Sequence, residues 1–248
     1  MKPAILITIP LSHYCEKARW ALDHVGLPYR EKAYVPLFHR LATGRHLGRT
    51  VPVLTHEGRR FMDSTDIVHY ADDATGGDRL YPRDPALRRE VQALEERFDT
   101  ELGPHARRWG YGQMLPDADL IRKVWERKVP PSQSRWLSLI VPIGRPLVRW
   151  AYRITPEGGM RSLERARAVF RQVDEQLADG RSYLVGDRLS AADITFASLA
   201  GPMLLPPESR AAHPTLEETP AAMREEILRL RETPAGRFVM RLYAQERG

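Results

Sequence analysis

The sequence predicts a small mixed α/β unit over residues 1–78 followed by an all-helical unit over residues 86–248. Three observations predict it. The first eighty residues alternate short apolar runs with helical patterns, the order of a small mixed sheet. Gly76-Gly77-Asp78 and Tyr81-Pro82-Arg83-Asp84-Pro85 then break every periodicity, which places the linker there. From Ala86 onward apolar residues recur at helical spacing, beginning with Leu87, Val91, Leu94, Phe98 and Leu102, which read as core.

Within the first unit, residues 4–9, 29–35, 51–54 and 58–62 read as strands, with a hairpin at Glu57-Gly58, and 14–25 and 65–73 as helices, a thioredoxin-type arrangement. In the second, 163–178 and 221–231 are amphipathic. Ser190 and Asp193 have capping-box spacing, and Leu189 and Ile194 have staple spacing, a structural role.

The most chemically informative stretch is Ser12-His13-Tyr14-Cys15-Glu16-Lys17-Ala18-Arg19, which follows the apolar run Ala4–Ile9 and opens a helical pattern. A strand turning directly into a helix exposes unpaired N–H groups and the positive end of the helix dipole, which stabilise a nearby anion such as a thiolate. Pro52 interrupts the run Thr50–Leu54. Either a cis Val51–Pro52 bond turns the Val51 backbone toward a peptide-like ligand, or a trans proline opens an edge strand. Asp63-Ser64-Thr65-Asp66 reads as a helix start whose N-terminus offers donors to a carboxylate.

Composition narrows the function classes. The chain has 248 residues, 42% of them apolar, enough for a sizeable core and against disorder. A single cysteine excludes an internal disulfide framework and a cysteine-rich zinc site, and fits a reducing cytoplasm. The opening Met1-Lys2-Pro3 enters a strand without a secretion-signal pattern, and no segment is a clean membrane span. The net charge of +6 comes from arginines scattered among acids along helices, which reads as solvated faces rather than a nucleic-acid surface, and attracts small anions.

The turn with Ser12, then Val51-Pro52, then Asp63-Ser64, in that order, resembles the glutathione transferase superfamily, with a serine-type or omega-like N-terminal motif. The similarity extends into Tyr183–Thr195, which looks like the segment leading into a buried helix of the family's all-helical C-terminal domain. The resemblance implies a thioredoxin-like glutathione-binding domain, glutathione as co-substrate without a metal, a small hydrophobic electrophile as partner, a cytoplasmic homodimer, and detoxification chemistry. It implies Ser12 as the catalytic hydroxyl that activates the thiol. It also implies Val51 as the main-chain partner of the cysteinyl part, Pro52 as the residue that holds it, Ser64 as donor to the γ-glutamyl carboxylate, and Asp63 as partner of the γ-glutamyl ammonium. Glutamate or glutamine is commoner at this last position. For the glycyl carboxylate the chain offers Thr50, Arg49, His39, Arg40 and His46, and the sequence does not choose among them.

One stretch departs from the family pattern. Residues 110–159 read as an insertion containing Pro116, Pro130, Pro131, Pro142, Pro146 and Pro156 and the apolar run Trp136–Gly144. Three roles fit it, in this order: covering the electrophile pocket, forming a subunit interface, or touching a membrane surface with Trp136 and Trp150 as anchors. Trp109, Tyr111, Met114 and Trp125 are candidate pocket-lining residues. Cys15 carries a competing reading, because Ser12-His13-Tyr14-Cys15 resembles a glutaredoxin turn that has lost its first cysteine, leaving thiol-disulfide exchange through Cys15. A glutathione-binding or assembly module without turnover is the other alternative. His13 reads as a solvent-facing turn residue, Tyr14, Trp20 and Leu22 as packing residues, and Lys17 and Arg19 either as partners of acids such as Glu16 or Asp66 or as groups that steer anions, between which the sequence does not choose.

Overall fold

The computed structural model describes residues 3–35 and 50–247. Strand β1 (Ala4–Thr8) leads into α1 (His13–Val25), then β2 (Tyr29–Ala33), β3 (Val53–His56), β4 (Arg59–Phe61) and α2 (Ser64–Asp73). The sheet order is β2-β1-β3-β4, with β1 and β2 parallel and the other pairs antiparallel. Ile7 pairs with Val53, so the end of β1 lies beside the start of β3. The β3–β4 hairpin turns at Glu57 and Gly58, both at positive φ (48° and 76°), the pairing that suits the twist of a tight hairpin.

The connection to the helical part is held from within the first domain. The backbone N–H groups of Arg79 and Leu80 both donate to the Asp72 Oδ1 at 2.8 Å, and the Arg79 guanidinium reaches the Val25 carbonyl. Asp84 caps α3 (Pro85–Arg97), with Pro85 in the first turn where its missing N–H costs nothing. Then follow a π-helical turn (Phe98–Leu102), α4 (Gly103–Met114), α5 (Ala118–Glu126), α6 (Pro131–Ser134), α7 (Leu137–Ala151), α8 (Pro156–Gln176), α9 (Ala191–Leu204), α10 (Ala221–Arg231) and α11 (Pro234–Glu246). Helix α9 is buried on every side except at Pro202, as expected of a helix apolar all round. Its Phe196 meets Phe98, Phe170 and Phe238. Its start is closed as the spacing predicts: the Ser190 N–H and hydroxyl both donate to Asp193 Oδ2, and the Leu184 N–H donates to Asp193 Oδ1.

Two expectations are corrected by packing. Leu87 is 37% exposed rather than core, because it falls in the first turn of α3, outside the stripe of Val91, Phe98 and Leu102 that meets the other helices. His13 is 3% exposed, because the second domain covers it. Its Nε2 donates to the Gly103 carbonyl at 3.1 Å.

The seam between the domains is polar at its centre. Lys17, fully buried on α1, pairs with Asp99 Oδ2 at 2.6 Å and Glu95 Oε1 at 3.0 Å and donates to Thr65 Oγ1 at 2.8 Å. These acids come from α3 and the π-helical turn, not from Glu16 or Asp66 as the local pattern suggests. The Thr65 hydroxyl also donates to Asp99 Oδ2, and Tyr81 donates to Glu95 Oε2 at 2.6 Å. On the other flank of α1, Arg19 binds Glu31 and Glu16, and Arg247 binds Glu16 at 2.7 Å and Asp23 at 2.9 Å.

Removing one member of such a buried cluster strands the others. Lys17→Met is expected to lower unfolding free energy in urea titration by about 3–5 kcal/mol, whereas Arg122→Ala, which breaks the exposed pair with Glu126, changes it by less than about 0.5 kcal/mol. The seam also predicts acid sensitivity. Burial lowers the pKa of His213 to about 4 and of His13 to about 3. Between 6.5 and 4 the unfolded chain binds a proton at position 213 that the folded chain refuses, so stability falls as pH falls through that window. Asp193, raised by burial to about 6, works in the opposite direction. Replacing His213 with glutamine is therefore expected to flatten the loss of stability between pH 6.5 and 4 in denaturant titrations, and an unchanged slope would refute this assignment.

Candidate functional site

Ser12 sits where β1 ends and α1 begins. Its backbone is extended (φ −74°, ψ 119°) and its Oγ accepts the Cys15 N–H at 3.3 Å, so it caps the helix. Capping uses an oxygen lone pair and leaves the hydroxyl proton for another acceptor. Ser12 is half-buried. The Val51–Pro52 bond is cis, which decides between the two geometries the sequence left open. By the β1–β3 register, Val51 precedes β3 on the side of the sheet end that carries Ser12.

Asp63 and Ser64 lie at the start of α2. The exposed Asp63 carboxylate accepts the Thr65 N–H at 2.8 Å and caps the helix, while Ser64, the first helical residue, is buried. The Lys17–Thr65 bond ties this helix start to the second turn of α1. The fold thus gathers the sequence candidates at one end of the sheet, Ser12 and Val51 through strand register and Asp63 and Ser64 through the Lys17 bond. Thr50 is exposed beside them, and His39, Arg40, His46 and Arg49 lie outside the described residues.

The second domain contributes groups that sequence spacing does not reveal. The Asp99 carbonyl accepts the Tyr14 hydroxyl at 3.0 Å, and its carboxylate binds both Lys17 and Thr65. The π-helical turn makes this possible, since the wider turn re-aims Asp99 at the first domain; such turns recur at functional sites. Arg107 on α4 stacks its guanidinium 4.2 Å from the Tyr152 ring and 5.8 Å from the Tyr14 ring, adding positive charge to the seam. Desolvation and that charge keep His13 neutral. A small, mostly apolar cavity of about 30 Å³ opens beside the turn, lined on the first domain by Leu11 and His13 and on the second by Arg107, Tyr111, Met114 and His213 among others. Of the residues proposed from sequence, Tyr111 and Met114 line it, and Trp109 and Trp125 do not. No residue of 115–153 lines it among the described residues, so α7 does not cover this cavity. Of the 110–159 stretch, Gly110, Tyr111 and Met114 do line the cavity, and α6 reaches the sheet edge, where the Gln133 amide accepts the Val35 N–H and donates to the Ala33 carbonyl.

Cys15 is fully buried, and burial raises its thiol pKa, with Arg19 and Ser12 only partly opposing. An inaccessible thiol held protonated is a poor exchange nucleophile. Among the described residues no group of three or more histidine, cysteine, aspartate or glutamate side chains could hold a metal.

Comparison with known proteins places this geometry in context. The glutathione S-transferase N-terminal domain pattern matches residues 6–79 and the C-terminal domain pattern residues 149–221, together more than half of the chain. No curated protein sequence matches significantly. Among solved structures, a glutathione S-transferase of Ceriporiopsis subvermispora in complex with glutathione superposes with a TM-score of 0.63 at 18% identity, covering 99% of this chain and 98% of that one. The β-etherase LigF of Sphingobium sp. strain SYK-6 gives 0.61 at 20% identity over 97% and 99%. A glutathione S-transferase of Methylobacterium radiotolerans in complex with glutathione sulfonate gives 0.54 at 22% identity over 96% and 95%. At these identities the structural likeness shows the fold, and the two domain patterns, matched in order, show that the chain belongs to the glutathione S-transferase superfamily.

Proposed function

We propose that the protein is a glutathione transferase that activates the glutathione thiol at Ser12 for attack on a small hydrophobic electrophile. The observation that carries this reading is the placement of the Ser12 hydroxyl at the N-terminus of α1, beside an apolar cavity between the domains. A thiol is a weak nucleophile while protonated. The Ser12 O–H, the free N–H groups of the first turn and the helix dipole all favour the thiolate, and the Arg107 charge acts in the same direction.

Glutathione itself would be held by its peptide. In this reading the Val51 main chain, oriented by Pro52, pairs with the cysteinyl unit. Ser64 and the first N–H groups of α2 bind the γ-glutamyl carboxylate, and Asp63 takes the ammonium. Aspartate reaches less far than glutamate, but the Asp99 carboxylate adds negative potential at the same helix start. The apolar walls of Leu11, Tyr111 and Met114 would face a hydrophobic co-substrate, for which the cavity of about 30 Å³ has to widen. The setting is a reducing cytoplasm and the active form a homodimer, with detoxification as the resulting role. Burial of Cys15 weighs against disulfide exchange through that thiol.

Calorimetry and turnover separate the roles. Ser64→Ala is expected to abolish measurable glutathione binding, whereas Ser12→Ala retains binding and loses about 10²-fold or more in conjugation rate, the scale of one lost transition-state donor. Wild-type binding without turnover of any electrophile would identify a binding module instead, and unchanged turnover in Ser12→Ala would reject the catalytic assignment.

A further inference from the structure

Helix α7 is apolar on two opposite faces. Leu137, Val141, Gly144 and Val148 are buried, and the helix packs so closely on α5 that a Cβ at Gly144 would come within 2.8 Å of the Trp125 ring. On the other side Leu139, Ile143 and Trp150 are 63%, 66% and 77% exposed, and Trp136, just ahead of the helix, is 44% exposed. Their spacing of three, four and seven residues puts them on one stripe. Met160, across a cleft of about 530 Å³ from the arginine side of α7, extends the apolar surface. Elsewhere among the described residues the large exposed apolar side chains are Met62, Leu87 and Leu228, which lie on other elements.

Along the segment that carries this stripe the charges have one sign, with acids resuming at Glu126 on one side and at the exposed Glu157 on the other. From Arg127 to Pro156 the chain contains six basic residues and no acid. Three of the six are committed: Arg127 to Glu218, Lys128 to the carbonyls of Ser209 and Arg210, and Arg145 to those of Leu115 and Pro116. Arg135, Arg149 and Arg153 are exposed and make no ion pair among the described residues.

We propose that this face docks on an anionic phospholipid surface, with α7 lying flat at headgroup depth, Trp136 and Trp150 anchoring its two ends, and the three arginines meeting lipid phosphates. Tryptophan suits a boundary where one side is apolar and the other wet. Pro142 and Pro146 withhold donors from the Ser138 and Pro142 carbonyls, which then need water or headgroups and hold the helix out of the hydrocarbon. No helix among the described residues is long and apolar enough to cross a membrane. Charge also selects against a second copy of the chain on this stripe, since a two-fold contact would place the same arginines opposite one another.

The test uses the full chain with phosphatidylcholine vesicles with and without phosphatidylserine. Co-sedimentation is expected only with phosphatidylserine, reversed by high salt. It should bring a blue shift in tryptophan emission that reports Trp136 and Trp150, because Trp20, Trp109 and Trp125 are already buried. The double variant Leu139→Glu/Ile143→Glu should lose about tenfold or more in vesicle partitioning while keeping its circular dichroism and thermal midpoint, since it changes only exposed anchors. Absence of wild-type partitioning, or partitioning unaffected by the double variant, would overturn the proposal. A wild-type dimer that ignores vesicles and becomes monomeric in the double variant would overturn it in favour of a second copy.

Discussion

The buried contact between Lys17 and the acids of the second domain is the constraint on which the rest of the site depends. Lys17 points from α1 into the seam, where Asp99 and Glu95 neutralise it and Thr65 fills another donor position. One ammonium thereby joins four elements: the helix that carries Ser12, the helix start that carries Asp63 and Ser64, α3 through Glu95, and the π-helical turn of the second domain. A buried ion cluster adds little net stability over apolar packing of the same volume, but its geometry tolerates little slack once the charges are out of water. The distance between the Ser12 end and the Asp63-Ser64 end of the candidate site is therefore set by groups that belong to neither.

Helix α1 repeats this logic on its other flank. Glu16, Lys17 and Arg19 would form the solvated face of an isolated amphipathic helix, yet all three are buried. Arg247 closes over Glu16 and Asp23, with its guanidinium 5.5 Å from the centre of the Trp20 ring. The chain end and the first helix thus become one packing unit. The Ser12 helix is clamped from both sides, which suits a site whose electrostatics depend on the orientation of a helix N-terminus.

The strands, the hairpin at Glu57-Gly58, the capping box at Ser190 and the long second-domain helices were legible because each is written in neighbouring residues: alternation, paired positive-φ turn positions, a serine three residues before an aspartate. Leu87 and His13 were misread for a shared reason. Local spacing tells which face of a helix is apolar, but not where a first turn overhangs the core, nor which turn another domain will cover. The same limit applies to Lys17, whose nearest acids in sequence lost to acids about eighty residues away because burial rewards the partner that also fills the seam.

The candidate site divides along this line. Ser12, Val51-Pro52 and Asp63-Ser64 belong to chain turns and helix starts, where backbone chemistry restricts the residue types, so they stand out in a single sequence. Asp99, Arg107 and His213 belong to helices or loops whose local pattern is ordinary, and only the folded seam brings them beside the turn. Arg107 illustrates the consequence: among many scattered arginines its sequence context is unremarked, yet it lies between two tyrosine rings and pushes His13 toward neutrality. His13, donating to Gly103 and held neutral, would take no proton from the thiol of the proposed function, which would leave the helix terminus, the Ser12 hydroxyl and the Arg107 charge to set that thiol's acidity. The half of the candidate site assigned to binding is thus encoded locally, and the half assigned to tuning is encoded by the docking of the second domain.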